Sequence, residues 1–399
     1  MLKRNILLVV MSFVSMVAMA QITFEEKGIV YMEDLSDPSK MAVIVMPKKS
    51  PLTQDKSLYS GNITIPSHIK HDLDDYEVLG ISYGAFYSDK IESLKIEDGV
   101  QYIAKYAIMS PSLKKLLIPG SIKTLSFIKA ENLEEVEIGE GVETINEVTL
   151  GKVKSLKLPK SLKEINGLSI FGEFRTYNTT PLPIVTVEFN DGVQRLNYCM
   201  GAFGGEDLTL PNTINTIDHS FIDSPNLKKI EIKGDLQSLQ NSFIYIKKIS
   251  ELTLANIKII QESFQECDNL STLIIDEGVN HISKSFLRTP NLEILYLPNS
   301  LTTIEGSFVG GYGQRLDNLK TIKFGLGFNN VSYFINRSMV ELKEVFCPWK
   351  DIPSPPNFSY DYMKGIKQLK IYVPKGMSKD YQSVWGLEDW EGISFVEHF

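Results

Sequence analysis

The stretch LKKLLIPGSIKTL, Leu113 to Leu125, is followed twenty residues later by LEEVEIGEGVETI, Leu133 to Ile145. Each carries apolar residues at the same five offsets: Leu113, Leu116, Ile118, Ile122 and Leu125 in the first, and Leu133, Val136, Ile138, Val142 and Ile145 in the second. The alternating pair Leu116/Ile118 points both side chains to one side of a strand, with the residue between them pointing away. Ile122-Lys-Thr-Leu125 reads as a second extended segment on an opposite wall. Between the two runs stands a turn-maker: Pro119, Pro159, Pro211 and Pro298 in some units, Gly99, Gly141, Gly192 and Gly278 in others. Proline fixes φ and glycine permits positive φ, so the chain reverses there.

The apolar pair occurs thirteen times, from Leu94/Ile96 to Leu369/Ile371, at intervals of 22, 20, 20, 31, 21, 22, 22, 21, 22, 27, 23 and 24 residues. A period near 22 with fixed apolar positions is the mark of a solenoid, whose units bury their apolar faces only against their neighbours. Phe221, Phe243, Phe286 and Phe308 recur thirteen residues after the first strand residue of their units, which predicts an aromatic spine along the axis.

The same residues carry a resemblance to a known family. The alternation of LxxLxIPxSIxxL with LxxVxIGEGVxxI resembles the BspA-like leucine-rich-repeat family of bacterial secreted and surface proteins. So do Ala85-Phe86, Ala202-Phe203 and the run Phe264-Gln-Glu-Cys267-Asp-Asn-Leu270, with Tyr59 to Pro66 and Leu369 to Gly376 as flanks. The likeness spans residues 60 to 399. It implies a β-rich leucine-rich-repeat solenoid, a right-handed superhelix of the α/β type with about 13 coils. It also implies an adhesive or partner-binding role, with a host extracellular-matrix or mucosal protein as partner. The chain departs from the pattern in lacking most of the family's cysteines and in carrying two long insertions.

Lys3 and Arg4 precede an apolar stretch from Ile6 to Val17 and the small residues Ala18 and Ala20. Residues 1–20 therefore read as a secretory signal peptide, and the chain is expected to be exported, to the periplasm, the cell surface or the medium. Residue 21 is Gln, not the Cys that a lipid anchor would need. No later stretch is apolar enough to span a membrane. Residues 21–80 are expected to form a β cap and a first partial repeat, 81–373 the solenoid, and 374–399 a C-terminal cap. In the front cap, Gly28–Met32 and Met41–Met46 read as strands continuing to Ile63-Thr-Ile65. At the back, Ser378 to Trp385 reads as a short helix, with Trp385, Trp390 and Phe395 folding over the last coil.

The formal charge of −8 becomes −10 without the two leader cations, which argues against nucleic acid as a partner. Cys199, Cys267 and Cys347 fall in different units, at least about 14 Å apart along the axis, too far for a disulfide. They are expected to be buried thiols.

The residue between the paired strand apolars should face outward. Along the array this column reads Lys95, Leu117, Glu137, Lys157, Glu188, Thr209, Glu231, Thr253, Ile274, Tyr296, Lys323, Phe346, Lys370. Its early part alternates in sign and suits cross-strand ion pairs. Its later part turns apolar, so Ile274, Ile294, Tyr296 and Phe346 are the candidate partner-binding patch. The two long intervals place insertions near residues 171–183 and 310–315, offering Phe174, Arg175, Tyr177 and Tyr312 as candidate loop contacts. His68 and His71 stand near Asp72, Asp74 and Asp75 but lack the spacing of a calcium loop, and no nucleophile, zincin or phosphate-loop motif is present. No catalytic residue, metal or cofactor is expected. The reading is an exported binding protein that engages a protein partner through its strand face. A second reading is a glycan-binding envelope protein using Tyr296, Tyr177 and Tyr312, and a third is a polysaccharide-cleaving solenoid enzyme.

Overall fold

The structure is a computed structural model describing residues 22–37, 39–49, 56–169, 184–308, 316–331, 334, 339, 341–356, 368–387 and 391–398. The chain winds as a β-solenoid of about 12 turns. Most turns lay one strand on each of two walls, and among the described residues the last turns keep only the first-wall strand. On the second wall, nine parallel strands run without a break from Thr124–Ser126 to Thr303–Glu305. The first wall is segmented. Four strands end at Glu135–Ile138, two pairs follow (Ser155–Lys157 with Thr186–Glu188, Asp207–Leu210 with Lys229–Ile232), and a seven-stranded sheet runs from Glu251–Leu254 to Ile393–Glu397. Register follows the repeat: Leu116 stands opposite Val136, Leu273 opposite Leu295, and Ile145 opposite Ile165.

The repeated apolar offsets are the core. Leu113, Leu116, Ile122 and Leu125 are fully buried and Ile118 nearly so. The aromatic spine forms, and Phe264 belongs to it. Phe221, Phe243, Phe264, Phe286 and Phe308 stack with centroids 5.2, 5.2, 5.3 and 4.9 Å apart and planes within 9°. Such pairs contribute about 0.5–1.5 kcal/mol each beyond area burial.

Beside the rings runs a serine ladder. Each spine phenylalanine is preceded by a buried serine (Ser220, Ser242, Ser263, Ser285, Ser307). The Ser263 hydroxyl accepts from the Ser242 N–H at 3.2 Å and donates to the Gln261 carbonyl at 2.8 Å. The pattern repeats from Cys199 N–H on the Ser220 hydroxyl to Ser285 N–H on the Ser307 hydroxyl. The ladder answers a local need, because the backbone alternates through left-handed residues at this corner: Glu262, Phe264 and Glu266 have φ of 49°, 55° and 58°, as do their counterparts in neighbouring turns. The N–H groups of these three residues bond in turn to the Ser283 carbonyl of the next turn, the Ser242 carbonyl of the previous turn and the Leu287 carbonyl of the next. The Ser263 N–H between them is taken by the Ser285 hydroxyl, so none of these donors is left unpaired there. A second ladder is made by asparagine. Asn132, Asn226, Asn269 and Asn291 each donate from Nδ2 to a carbonyl one turn back, at 2.6–3.2 Å.

In the front cap, β1 (Thr23–Glu26) and β2 (Ile29–Glu33) form a hairpin with Lys27 and Gly28 at φ 49° and 84°. Two successive positive φ values make the two-residue turn that matches strand twist. β2 pairs antiparallel with β3 (Ala42–Met46). The expected continuation of this cap through Ile63-Thr-Ile65 does not occur. β4 (Gly61–Ile65) pairs with the strand Ile91–Ile96 and so opens the first wall. The cap sheet continues instead through β5 (His68–His71) and β6 (Asp74–Ile81), which pairs with both β3 and β5. The reason lies in the alternation of β4, whose Ile63 and Ile65 are buried like any repeat pair.

At the other end α1 (Ser378–Trp385) is the helix expected, closed by Gly386 at φ 64°. Its Tyr381 and Trp385 are buried over the last coil. Tyr381 Oη donates to the Trp349 carbonyl at 2.7 Å and Trp385 Nε1 to the Pro353 carbonyl at 3.0 Å. Phe395 is half-buried within the final strand, opposite Ile371, and Trp390 lies outside the described residues. The three cysteines are buried and form no disulfide.

Candidate functional site

On the seven-stranded part of the first wall, the outward residues fall in two columns. One runs Thr272, Ile294, Thr321, Glu344, Lys370; the other Ile274, Tyr296, Lys323, Phe346, Tyr372 and Val396. Strand pleating puts them on the face opposite the core. Of the four candidate residues, Ile274 and Tyr296 are neighbours across adjacent strands, and Ile294 stands two residues before Tyr296 on the same strand. All three are half-buried and contiguous. Phe346 is not part of that trio, because Lys323 stands between it and Tyr296. The Lys323 ammonium lies 5.9 Å from the Tyr296 ring centroid, at the outer limit of a cation–π contact.

Phe346 instead stacks on Tyr372 at 4.2 Å, with planes within 4°, and His398 meets both rings edge-on at 5.7 and 5.5 Å. Tyr372 Oη donates to Glu344 Oε1 at 3.0 Å. That hydrogen bond, with some desolvation, raises the tyrosine's pKa and keeps its hydroxyl protonated. The column therefore ends differently from the sequence expectation: Tyr372, not Lys370, aligns with Phe346. Leu369, Ile371 and Val373 are all inward and buried, so either successive pair satisfies the alternation. Proline was the available signal. Pro119, Pro159, Pro211 and Pro298 directly follow the second strand apolar of their units, and Pro374 follows Val373, which makes Ile371/Val373 the true pair.

Elsewhere the face is charged. Lys157 Nζ lies 4.0 Å from Glu188 Oε2, and Lys115 Nζ 2.7 Å from Glu135 Oε2. Glu137 does not join Lys157 as the sign alternation suggested, because the ladder breaks between their strands. A cleft of about 790 Å³ opens there between Glu134, Glu135 and Glu137 on one side and Lys152 and Lys154 on the other. The loop candidates Phe174, Arg175, Tyr177 and Tyr312 lie outside the described residues. Among the described residues no three His, Cys, Asp or Glu side chains gather as a metal site would require, and no helix is long and apolar enough to cross a membrane.

The repeat geometry can be compared with known proteins. The model of the BspA-type leucine-rich-repeat region matches residues 79–195 and 197–310 with six copies, more than half of the chain. The chain belongs to the BspA-type leucine-rich-repeat family. A search of curated protein sequences finds no match. Among solved structures, a leucine-rich-repeat protein of Bacteroides ovatus is similar at 16% identity and a TM-score of 0.53, over 94% of this chain and 100% of that one. A leucine-rich cell-surface protein of Faecalibacterium prausnitzii is similar at 14% identity, over 92% and 98% of the two chains, with a TM-score of 0.43. The pneumococcal vaccine antigen PcpA is similar at 15% identity, over 95% and 99%, with a TM-score of 0.40. At such identities the likeness shows the fold alone. Leucine-rich-repeat arrays are partner-binding scaffolds, and that much carries over to this chain.

Proposed function

We propose that this leucine-rich-repeat protein is exported by its N-terminal leader and acts as a non-enzymatic binder. Its protein partner sits on the outer face of the first wall around Ile274, Ile294, Tyr296, Phe346 and Tyr372. The observation that supports this reading is the stacked Phe346–Tyr372 pair, with His398 on its edge, on a sheet face whose earlier strands carry the ion pairs Lys115–Glu135 and Lys157–Glu188. Aromatic side chains are the residues that most often dominate protein interfaces. Adhesion to a host extracellular-matrix or mucosal protein is the role the family resemblance favours.

The test is binding of the protein to paired arrays of matrix proteins and glycans. A protein hit weakened by about tenfold or more in Tyr296→Ala and in Phe346→Ala, the loss expected of central aromatic anchors, is the outcome expected. Tyr296→Ala should hardly move the melting midpoint, whereas Phe346→Ala, which also loses its stack on Tyr372, should lower it by the equivalent of about 0.5–1.5 kcal/mol and still leave the protein folded. A glycan hit, or a protein hit indifferent to both substitutions, would retire the patch.

A further inference from the structure

The first-wall sheet stops at β4, and beyond it no strand is paired among the described residues. The Gly61 N–H donates to the Lys90 carbonyl at 2.8 Å, and the Ile65 carbonyl accepts from the Glu97 N–H at 2.9 Å. In a parallel ladder the N–H and C=O of one residue face the same neighbour, and those of the next residue face the other way. Gly61, Ile63 and Ile65 therefore face the solenoid, while the backbone groups of Asn62 and Thr64 face outward. They open into a cleft of about 470 Å³. Its far wall is the β1–β2 turn, with Lys27 and Gly28, and Tyr59, Ile63 and Ile69 line it with apolar surface. Tyr59 is fixed there, accepting from the Val30 N–H and donating to the Met46 carbonyl, both at 2.9 Å.

We infer that this cleft is a second binding site, separate from the strand-face patch, which takes an extended peptide segment of a partner protein as an added strand on β4. Alternating outward N–H and C=O groups are matched by one ligand chemistry, another extended polypeptide. The added strand would direct every second side chain onto Tyr59, Ile63 and Ile69, so the peptide should alternate apolar and polar residues. The overhanging hairpin decides between a peptide and a second copy of the chain. Stacking a second solenoid on β4 needs a flat, open end, whereas a cleft behind a hairpin admits a single strand. The hairpin also accounts for an otherwise hazardous edge, since natural proteins shield unpaired strands from general pairing.

The experiment begins with random heptapeptides displayed on phage and selected on the whole protein. A selected peptide is then synthesised and titrated by calorimetry against the wild type, Thr64→Pro and Tyr296→Ala. Proline at residue 64 removes only an outward N–H and suits an edge strand, so the bonds of β4 to the strand Ile91–Ile96 survive. The peptide is expected to alternate in polarity, to bind Thr64→Pro about tenfold or more weakly, and to bind Tyr296→Ala unchanged. Hydrogen exchange on the wild type supplies a reading that needs no variant: the peptide should slow exchange at Asn62 and Thr64. Equal affinity for Thr64→Pro, or a selection yielding no peptide that protects these two amides, overturns the inference. Concentration-dependent self-association abolished by Thr64→Pro overturns it as well, by making a second copy the occupant. Because Tyr296 is tested separately, loss of the strand-face patch and loss of this site are distinguishable.

Discussion

Phe264 is the middle ring of five, fully buried and stacked on both faces. Phe264→Ala removes a large core side chain and leaves a cavity that rigid neighbouring turns cannot close, so a loss of about 3–5 kcal/mol is expected by denaturant titration. Ser263→Ala beside it removes less volume but leaves the buried Ser242 N–H without an acceptor, at a cost of about 1–3 kcal/mol. Phe264→Ala should therefore be the more damaging of the two, and the reverse order would mean that the serine ladder rather than the rings holds the turns together. The cysteines make a sharper chemical prediction. Burial alone raises the Cys199 and Cys347 thiols, and burial chiefly pushes the Cys267 thiol up to about 12. Since the thiolate is the reactive form, a disulfide reagent at pH 8 should label none of the three in the folded protein and all three after unfolding. The rings were legible in the sequence because phenylalanine recurs at a fixed offset. The serines were not, because serine in a loop reads as an ordinary turn former. Nor were the left-handed residues Glu262, Phe264 and Glu266, which give no glycine or asparagine signal.

At the scale of the element, the turns between the walls distinguish two uses of glycine. A Cβ on Gly120 would fall 1.6 Å from the Glu140 carbonyl oxygen of the next coil, and one on Gly141 2.2 Å from the Gly120 oxygen. At Gly120 close approach of two backbones excludes a side chain, without any need for positive φ. Gly84 is the converse, with φ +67° and nothing within 4 Å of its would-be Cβ. Gly84→Ala should cost about 1 kcal/mol, the strain of a left-handed alanine. Gly120→Ala should cost more, about 1–3 kcal/mol, because backbone must shift. Thermal unfolding of the two variants side by side checks the order, and equal losses would mean the coils are free to spread. Pro119 and Gly141 mark these turns in the sequence, but the sequence does not separate the two roles. Periodicity also placed Glu137 opposite Lys157, because it assigns a strand to each repeat yet carries no information on whether successive strands bond. The same limit moved the last register by two residues, where Leu369, Ile371 and Val373 offer two equivalent pairs.

Across the whole molecule, each turn is stabilised by its neighbours, so the two ends carry the burden of closing the array. The front end closes with a six-stranded sheet whose β1–β2 hairpin lines one cleft together with β4. The back end closes with α1 and the strand Ile393–Glu397, which occupies the outer edge of Leu369–Val373. Deleting residues 374–399 would remove this strand, together with the Tyr381 and Trp385 side chains that cover the last coil. The carbonyls of Trp349 and Pro353 would then be without their side-chain donors. The apolar residues beneath α1 would meet water, and Leu369–Val373 would become an unshielded parallel edge. The shortened chain is therefore expected to unfold at a lower temperature and to associate as its concentration rises. Association should be weakened by a proline at Leu369, the first residue of that strand, whose N–H donates to the Gly392 carbonyl of the removed strand at 2.8 Å and would be a free edge donor without it. Sedimentation velocity over a range of concentrations reads this directly. A monomer with an unchanged melting midpoint would show that the last repeat closes the solenoid by itself, and that α1 and the final strand serve some purpose other than stability.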